Sequence, residues 1–148
     1  MLQTQEAIMD IISFGTIKYD PPRPGLKKKR EWWAVVEIDR EITRYFRWWV
    51  ERELNVELKK PSWDAHISII RGERPDITKL YLWKKYDGKK INFKYSVNVR
   101  RSGDTTGNDR PTNYWFVEVE CPFLKEMRDE FGFPSDWKQH ITIGRTWD

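Results

Sequence analysis

The chain has 148 residues, 34% of them charged, a formal net charge of +4 and a mean hydropathy of −0.80. That length suits one domain with its own core, and 15% aromatic residues, including nine Trp, exclude a disordered chain. A single cysteine, Cys121, excludes an internal disulfide, no apolar run approaches a membrane span, and Met1–Ser13 lacks the basic start of a signal peptide, so a cytoplasmic protein is expected. The mild basic bias favours anionic partners without the footprint of stable DNA binding. One Cys and two His make no zinc ligand set, and no cofactor is expected.

In chain order, residues 1–13 suggest a short amphipathic helix with Ile8, Ile11 and Ile12 on one side. Residues 14–30 hold Pro21, Pro22, Pro24 and Gly25 and a basic run at 27–30, and read as an extended arm or loop, so 1–30 is taken as an N-terminal arm. Trp32–Ile38 is an aromatic and β-branched run, hence a buried strand. Asp39 caps a helix from about Arg40 to Leu54, where Ile42, Tyr45, Phe46, Trp49 and Val50 recur at helical spacing. A strand carrying His66 follows and ends at Gly72 and Pro75. A short helix is expected over Leu80–Tyr86, an alternating strand over Lys90–Arg100, and a loop over 101–112. Tyr114–Glu120 is a strand, Pro122 starts a helix that Gly132 and Pro134 end, and a strand carrying His140 closes the chain.

The two histidines share one pattern: His66-Ile67-Ser68-Ile69 and His140-Ile141-Thr142-Ile143, each with a Trp three residues before it (Trp63, Trp137) and an Arg five after (Arg71, Arg145). With 39% hydrophobic residues, both histidines heading such a pattern by chance has odds of about 2 in 10,000. Trp32–Glu37 lines up with Tyr114–Val119, so strand, helix and motif strand occur twice. The expected fold is α+β: one domain with two βαβ-like lobes, about 31–75 and 90–148, related by a pseudo-twofold and with antiparallel sheets around a central cleft.

Alternate residues of a strand share a face. His66 with Ser68, and His140 with Thr142, therefore face the cleft while the isoleucines anchor the core. Two imidazoles supply a general base and a general acid near neutral pH, and the hydroxyls donate to phosphate oxygens as charge builds. The same parity puts Arg71 and Arg145 on the isoleucine face as structural salt-bridge partners unless a bulge intervenes. Trp63 and Trp137 read as packing residues. Tyr19, Trp32 and Trp147 are candidate platforms for base stacking, and Lys138 a candidate phosphate partner.

On these motifs the chain resembles the 2H phosphoesterase superfamily over about residues 32–147, and more closely phage proteins labelled "Swiss army knife RNA repair-like", themselves similar to phage anti-CBASS phosphodiesterases. Ile42–Trp49, Trp63–Ser68 and Trp137–Thr142 carry the closer likeness. The resemblance implies a bilobal fold, His66, Ser68, His140 and Thr142 as catalytic residues, and a metal-independent phosphodiesterase acting on a cyclic oligonucleotide or short RNA, with no membrane partner and a monomer assumed. Two other readings stay open: an enzyme opening 2′,3′-cyclic phosphates or cutting 2′–5′ oligoadenylates, and a non-catalytic module that sequesters nucleotides.

Overall fold

The computed structural model of the chain describes residues 11–22, 31–59, 65–104 and 112–147. The strands are β1 (Ile11–Tyr19), β2 (Trp33–Ile38), β3 (His66–Arg71), β4 (Lys90–Tyr95), β5 (Arg100–Asp104), β6 (Thr112–Glu120) and β7 (His140–Trp147); the helices are α1 (Arg40–Leu54) and α2 (Pro122–Phe131). Every strand pair is antiparallel, and the order is β4-β1-β2-β3-β7-β6-β5. Because β4 also pairs with β6, the sheet closes into a barrel-like ring with β5 hydrogen-bonded outside it. The sheets expected from the sequence are thus parts of one continuous sheet.

The first correction concerns the N-terminal segment. Residues 11–13, expected at the end of a helix, and 14–19, expected in a loose arm, form β1 between β2 and β4. The alternation Ser13, Gly15, Ile17, Tyr19 puts one side chain in two inward, and Ile17 is fully buried. Residues 1–10 and 23–30 lie outside the described residues. Gly15 sits where β1 lies close against β2: a Cβ there would stand 2.5 Å from the Glu37 carbonyl oxygen and 2.6 Å from Val36 Cγ1.

Both helices start and stop where their end residues dictate. The Asp39 side chain accepts the Glu41 N–H at 2.9 Å, and Asn55 takes the left-handed conformation after Leu54. Pro122 opens α2, and Gly132 at φ 75° closes it. In the middle of the chain a 3₁₀ helix spans Ile77–Leu82, earlier than expected. The alternating run breaks after Tyr95, because Ser96 turns inward, receives the Asn98 N–H on its hydroxyl, and separates β4 from β5.

The core lies on the isoleucine face of the motif strands. Ile67, Ile69, Ile141 and Ile143 are at most 1% exposed and pack with Phe46 and Val50 of α1 and with Leu124 and Met127 of α2. Each such side chain contributes about 1.5–3 kcal/mol of transfer free energy. The helices cross over between the repeats: α1, between β2 and β3, packs on β7, while α2, between β6 and β7, packs on β3.

Replacing Gly15 with Ala forces β1 and β2 apart at a backbone contact. Gly15→Ala is expected to cost about 1–3 kcal/mol, read as a fall of roughly 3–10 °C in Tm by calorimetry. An unchanged Tm would mean that the two strands have slack there.

Candidate active site

The site is built where β3 and β7 meet. They pair at Ile67 and Ile141. Carried one residue outward, that antiparallel register sets His66 toward Thr142 and Ser68 toward His140, each imidazole beside the hydroxyl of the other motif. The two imidazoles and two hydroxyls thus flank the Ile67–Ile141 pair on the two motif strands. The flanking strands repeat the arrangement. Glu37 of β2 pairs with His66, and Glu118 of β6 pairs with His140. The ladder aligns Glu37 with Glu118 and Trp33 with Tyr114, shifting the sequence alignment of the repeats by one residue.

Each motif strand carries a β-bulge just after its hydroxyl residue. Ala34 pairs with Ile70 but Val35 with Ser68, so Ile69 is the extra residue of β3. Trp115 pairs with Gly144 but Phe116 with Thr142, which makes Ile143 the extra residue of β7. A bulge reverses the face of everything beyond it. Arg71 therefore pairs with Trp33, and Arg145 with Tyr114, on the cleft face. The expectation that both arginines lie on the isoleucine face is corrected; the repeated Ile-Ile and Ile-Gly steps after the hydroxyls were the only sequence signal.

A bulge also takes a carbonyl out of the ladder, and a buried one needs a donor. Arg128 of α2 donates from Nη1 to the Ile69 carbonyl at 2.8 Å; Arg47 of α1 donates to the Ile143 carbonyl at a longer 3.4 Å. Arg128 is 7% exposed and also donates to Pro134 O and to both Glu73 oxygens, at 2.7 and 2.8 Å. Glu73 Oε1 in turn accepts the Arg71 N–H at 3.2 Å. The Arg128 guanidinium holds the Glu73 carboxyl below its ordinary value of 4.5. Neither Arg47 nor Arg128 stood out in the sequence as part of the site.

His140 is held from behind. Its Nδ1–H donates to the Lys138 carbonyl at 3.1 Å, since a carbonyl only accepts. That tautomer leaves Nε2 with its lone pair. Phe116 packs edge-on against the ring, with centroids 5.6 Å apart. Buried Gln139, one residue before, ties the start of β7 to the start of α2: its carbonyl oxygen accepts the Cys121 N–H at 2.7 Å, and its amide donates to Cys121 O at 2.9 Å.

Beside His140 and Thr142 opens a cleft of about 950 Å³. Arg71, Arg100, Arg101, Lys138 and Glu118 supply its charge, and Phe116 and Tyr114 part of its wall. Arg100 is ion-paired with Glu118. His66 and Ser68 are partly exposed on the adjoining strand but do not line this cleft. Among the described residues, no three His, Cys, Asp or Glu side chains converge to hold a metal ion, and no helix is long and apolar enough to cross a membrane.

The candidate ligand-binding residues fare unequally. Lys138 is exposed and lines the cleft. Tyr19 is corrected: it is 6% exposed, packs edge-on to Trp83 at 4.9 Å, and its hydroxyl is pushed up to about 12 by burial, so it offers no face to a base. Trp32 also packs on Trp83, at 5.1 Å, beneath Arg74, and is not among the cleft residues. Trp137 packs under Arg128, as expected of a packing residue. Trp63, the 27–30 run, most of the 101–112 loop and the side chain of Trp147 lie outside the described residues.

This arrangement coincides with a known family. Residues 35–147 match the model of the Swiss Army Knife, 2H phosphoesterase domain, and the chain belongs to that family. It is a phosphodiesterase, a hydrolase of the 2H class. No curated protein and no solved structure matches the chain.

Removing the Arg128 side chain leaves the Ile69 carbonyl and Glu73 without their donor. Arg128→Ala is expected to lower stability by about 2–4 kcal/mol in urea unfolding. Because the Glu73 carboxyl is depressed in the folded state, its contribution is complete above about 4.5, the ordinary value, and is lost as pH falls through the lower folded value. Glu73→Gln should flatten the decline in Tm below that pH; a parallel decline would show that the pair does not govern acid stability.

Proposed function

We propose that the chain is a metal-independent phosphodiesterase that cleaves 3′–5′ bonds of cyclic di- or trinucleotides, of the phage anti-CBASS kind, in a cytoplasm. It acts as one domain of two pseudo-twofold-related lobes. The observation that carries this is the antiparallel pairing of the two motif strands at Ile67 and Ile141, beside a cleft of about 950 Å³.

His140 is the base. Its Nδ1–H is committed to Lys138 O, and Nε2 takes the proton of a ribose 2′-OH. The 2′-oxygen attacks the adjacent phosphorus, the P–O5′ bond breaks, and His66 gives its proton to the departing 5′-oxygen. Ser68 and Thr142 donate to the non-bridging oxygens as their charge grows. The products of this step are a 5′-OH and a 2′,3′-cyclic phosphate, with no water consumed. Hydrolysis of the cyclic phosphate then follows with the two histidines exchanging roles and water as nucleophile. In this mechanism no step needs a metal ion.

On 3′,3′-cyclic GMP-AMP in EDTA, the expected products by mass spectrometry are the linear 2′,3′-cyclic phosphate and its hydrolysed form, with an analogue lacking the scissile 2′-OH inert. His66→Ala and His140→Ala should each lower kcat by about 10²–10⁴-fold with ligand binding kept. Ser68→Ala and Thr142→Ala should cost less, about tenfold each. Activity that disappears in EDTA and returns with Mg²⁺ would overturn the mechanism. Cleavage confined to 2′–5′ oligoadenylates or terminal 2′,3′-cyclic phosphates would move the substrate to RNA ends.

A further inference from the structure

The two ends of the catalytic constellation are chemically unequal. Arg71 and Arg145 occupy matching positions after matching bulges. Arg71 is exposed and lines the cleft with Lys138 and His140. Arg145 is half-buried and is not among the cleft residues. Of this matched pair of cations, the exposed one stands at the His140 end.

Several observations bear on what that charge is for. Arg71 stands two β2 positions beyond Ser68 (Trp33 against Val35), about 7 Å along the sheet at ~3.4 Å per residue. That is about the spacing from one phosphate of a nucleotide to the next. The guanidinium lies over the ring of its cross-strand partner Trp33, 5.9 Å from the centroid. A cation–π seat holds the plane and leaves its N–H edge for oxygen acceptors. Glu73, two residues on, has both oxygens on Arg128; in the same cleft Arg100 is occupied with Glu118, and Arg101 lies over the Trp115 ring. Continuing the register from Ile67 and Ile141 brings Arg71 alongside the start of β7. There Lys138 holds His140 by its carbonyl while its side chain lines the cleft.

We propose that Arg71, with Lys138 beside it, forms a second anion subsite at the His140 end of the cleft, which takes a non-scissile phosphate of the substrate. This rests on the phosphodiesterase reading above and narrows its substrates to nucleotides carrying at least two phosphates. It also gives a nearly symmetric pair of histidines one substrate orientation, with the second phosphate on the side of the base.

The test compares two ligands that differ by one phosphate: ApA, whose only phosphate is the scissile one, and cyclic di-AMP. Binding is measured by calorimetry in the His66→Ala background, so that neither ligand is consumed. Arg71→Ala is expected to weaken cyclic di-AMP about ten- to a hundredfold, with a loss on ApA at least fivefold smaller. Arg71→Lys should recover part of the difference, and Lys138→Ala should lower the same affinity by several-fold. Unchanged Tm in each variant separates binding from folding. Equal losses on both ligands, no loss on cyclic di-AMP, or no binding of cyclic di-AMP by the protein that retains Arg71 would overturn the subsite. Turnover is read separately with both histidines present: failure to cleave either ligand, with the binding difference intact, overturns the catalytic reading and leaves the subsite standing.

Discussion

The pairing of β3 with β7 at Ile67 and Ile141 governs the rest of the molecule. A slip of one residue there would turn one motif strand over, sending its imidazole and hydroxyl into the core and its isoleucine pair into water. The register is held from two sides. Below, four isoleucines are locked among helix residues. Outside, β2 and β6 fix each motif strand through ladders that put Glu37 and Glu118 opposite the two histidines. Pairing of β4 with β6 closes the ring and leaves β5 as its outer strand. Side chains carried on the centre of a closed sheet need little reorganisation before they act.

The bulges add a second layer to this constraint. A regular strand offers one polar face at two-residue spacing, which is enough for the histidine and the hydroxyl. Adding a cation to that face five residues from the histidine requires one extra residue, and Ile69 and Ile143 supply it. The displaced carbonyls are then met by Arg128 and Arg47. Glu73 links the Arg128 clamp to the backbone of Arg71. Stability and the placing of the cleft cation thus depend on the same guanidinium.

Much of this was legible in the sequence because it is local. Asp39, Pro122 and Gly132 announce helix ends by their own chemistry, and the histidine motifs announce a strand and its faces by alternation. What escaped was set by distant partners. β1 reads as loose chain because Gly25 and the prolines after Tyr19 suggest a breaker, whereas the segment before them is a strand in which Gly15 is small so that β2 can approach it. Tyr19 resembles a stacking platform until Trp83, far along the chain, is found against it. The orientation of Arg71 hangs on a bulge that only the register with β2 reveals. Arg47 and Arg128 look like ordinary charges on amphipathic helices until the carbonyls they meet are seen.

The exchange of helices has a further consequence. Arg47 reaches Ile143, Arg128 reaches Ile69, and Ile67 meets Ile141. Reciprocal contacts of this kind are the rule of an isologous interface between two identical subunits. Here one chain makes them with itself. Two identical subunits would be obliged to carry the same residue at both ends of their shared groove. Joined in tandem, the halves are released from that obligation, and a groove with matched ends becomes one with a direction.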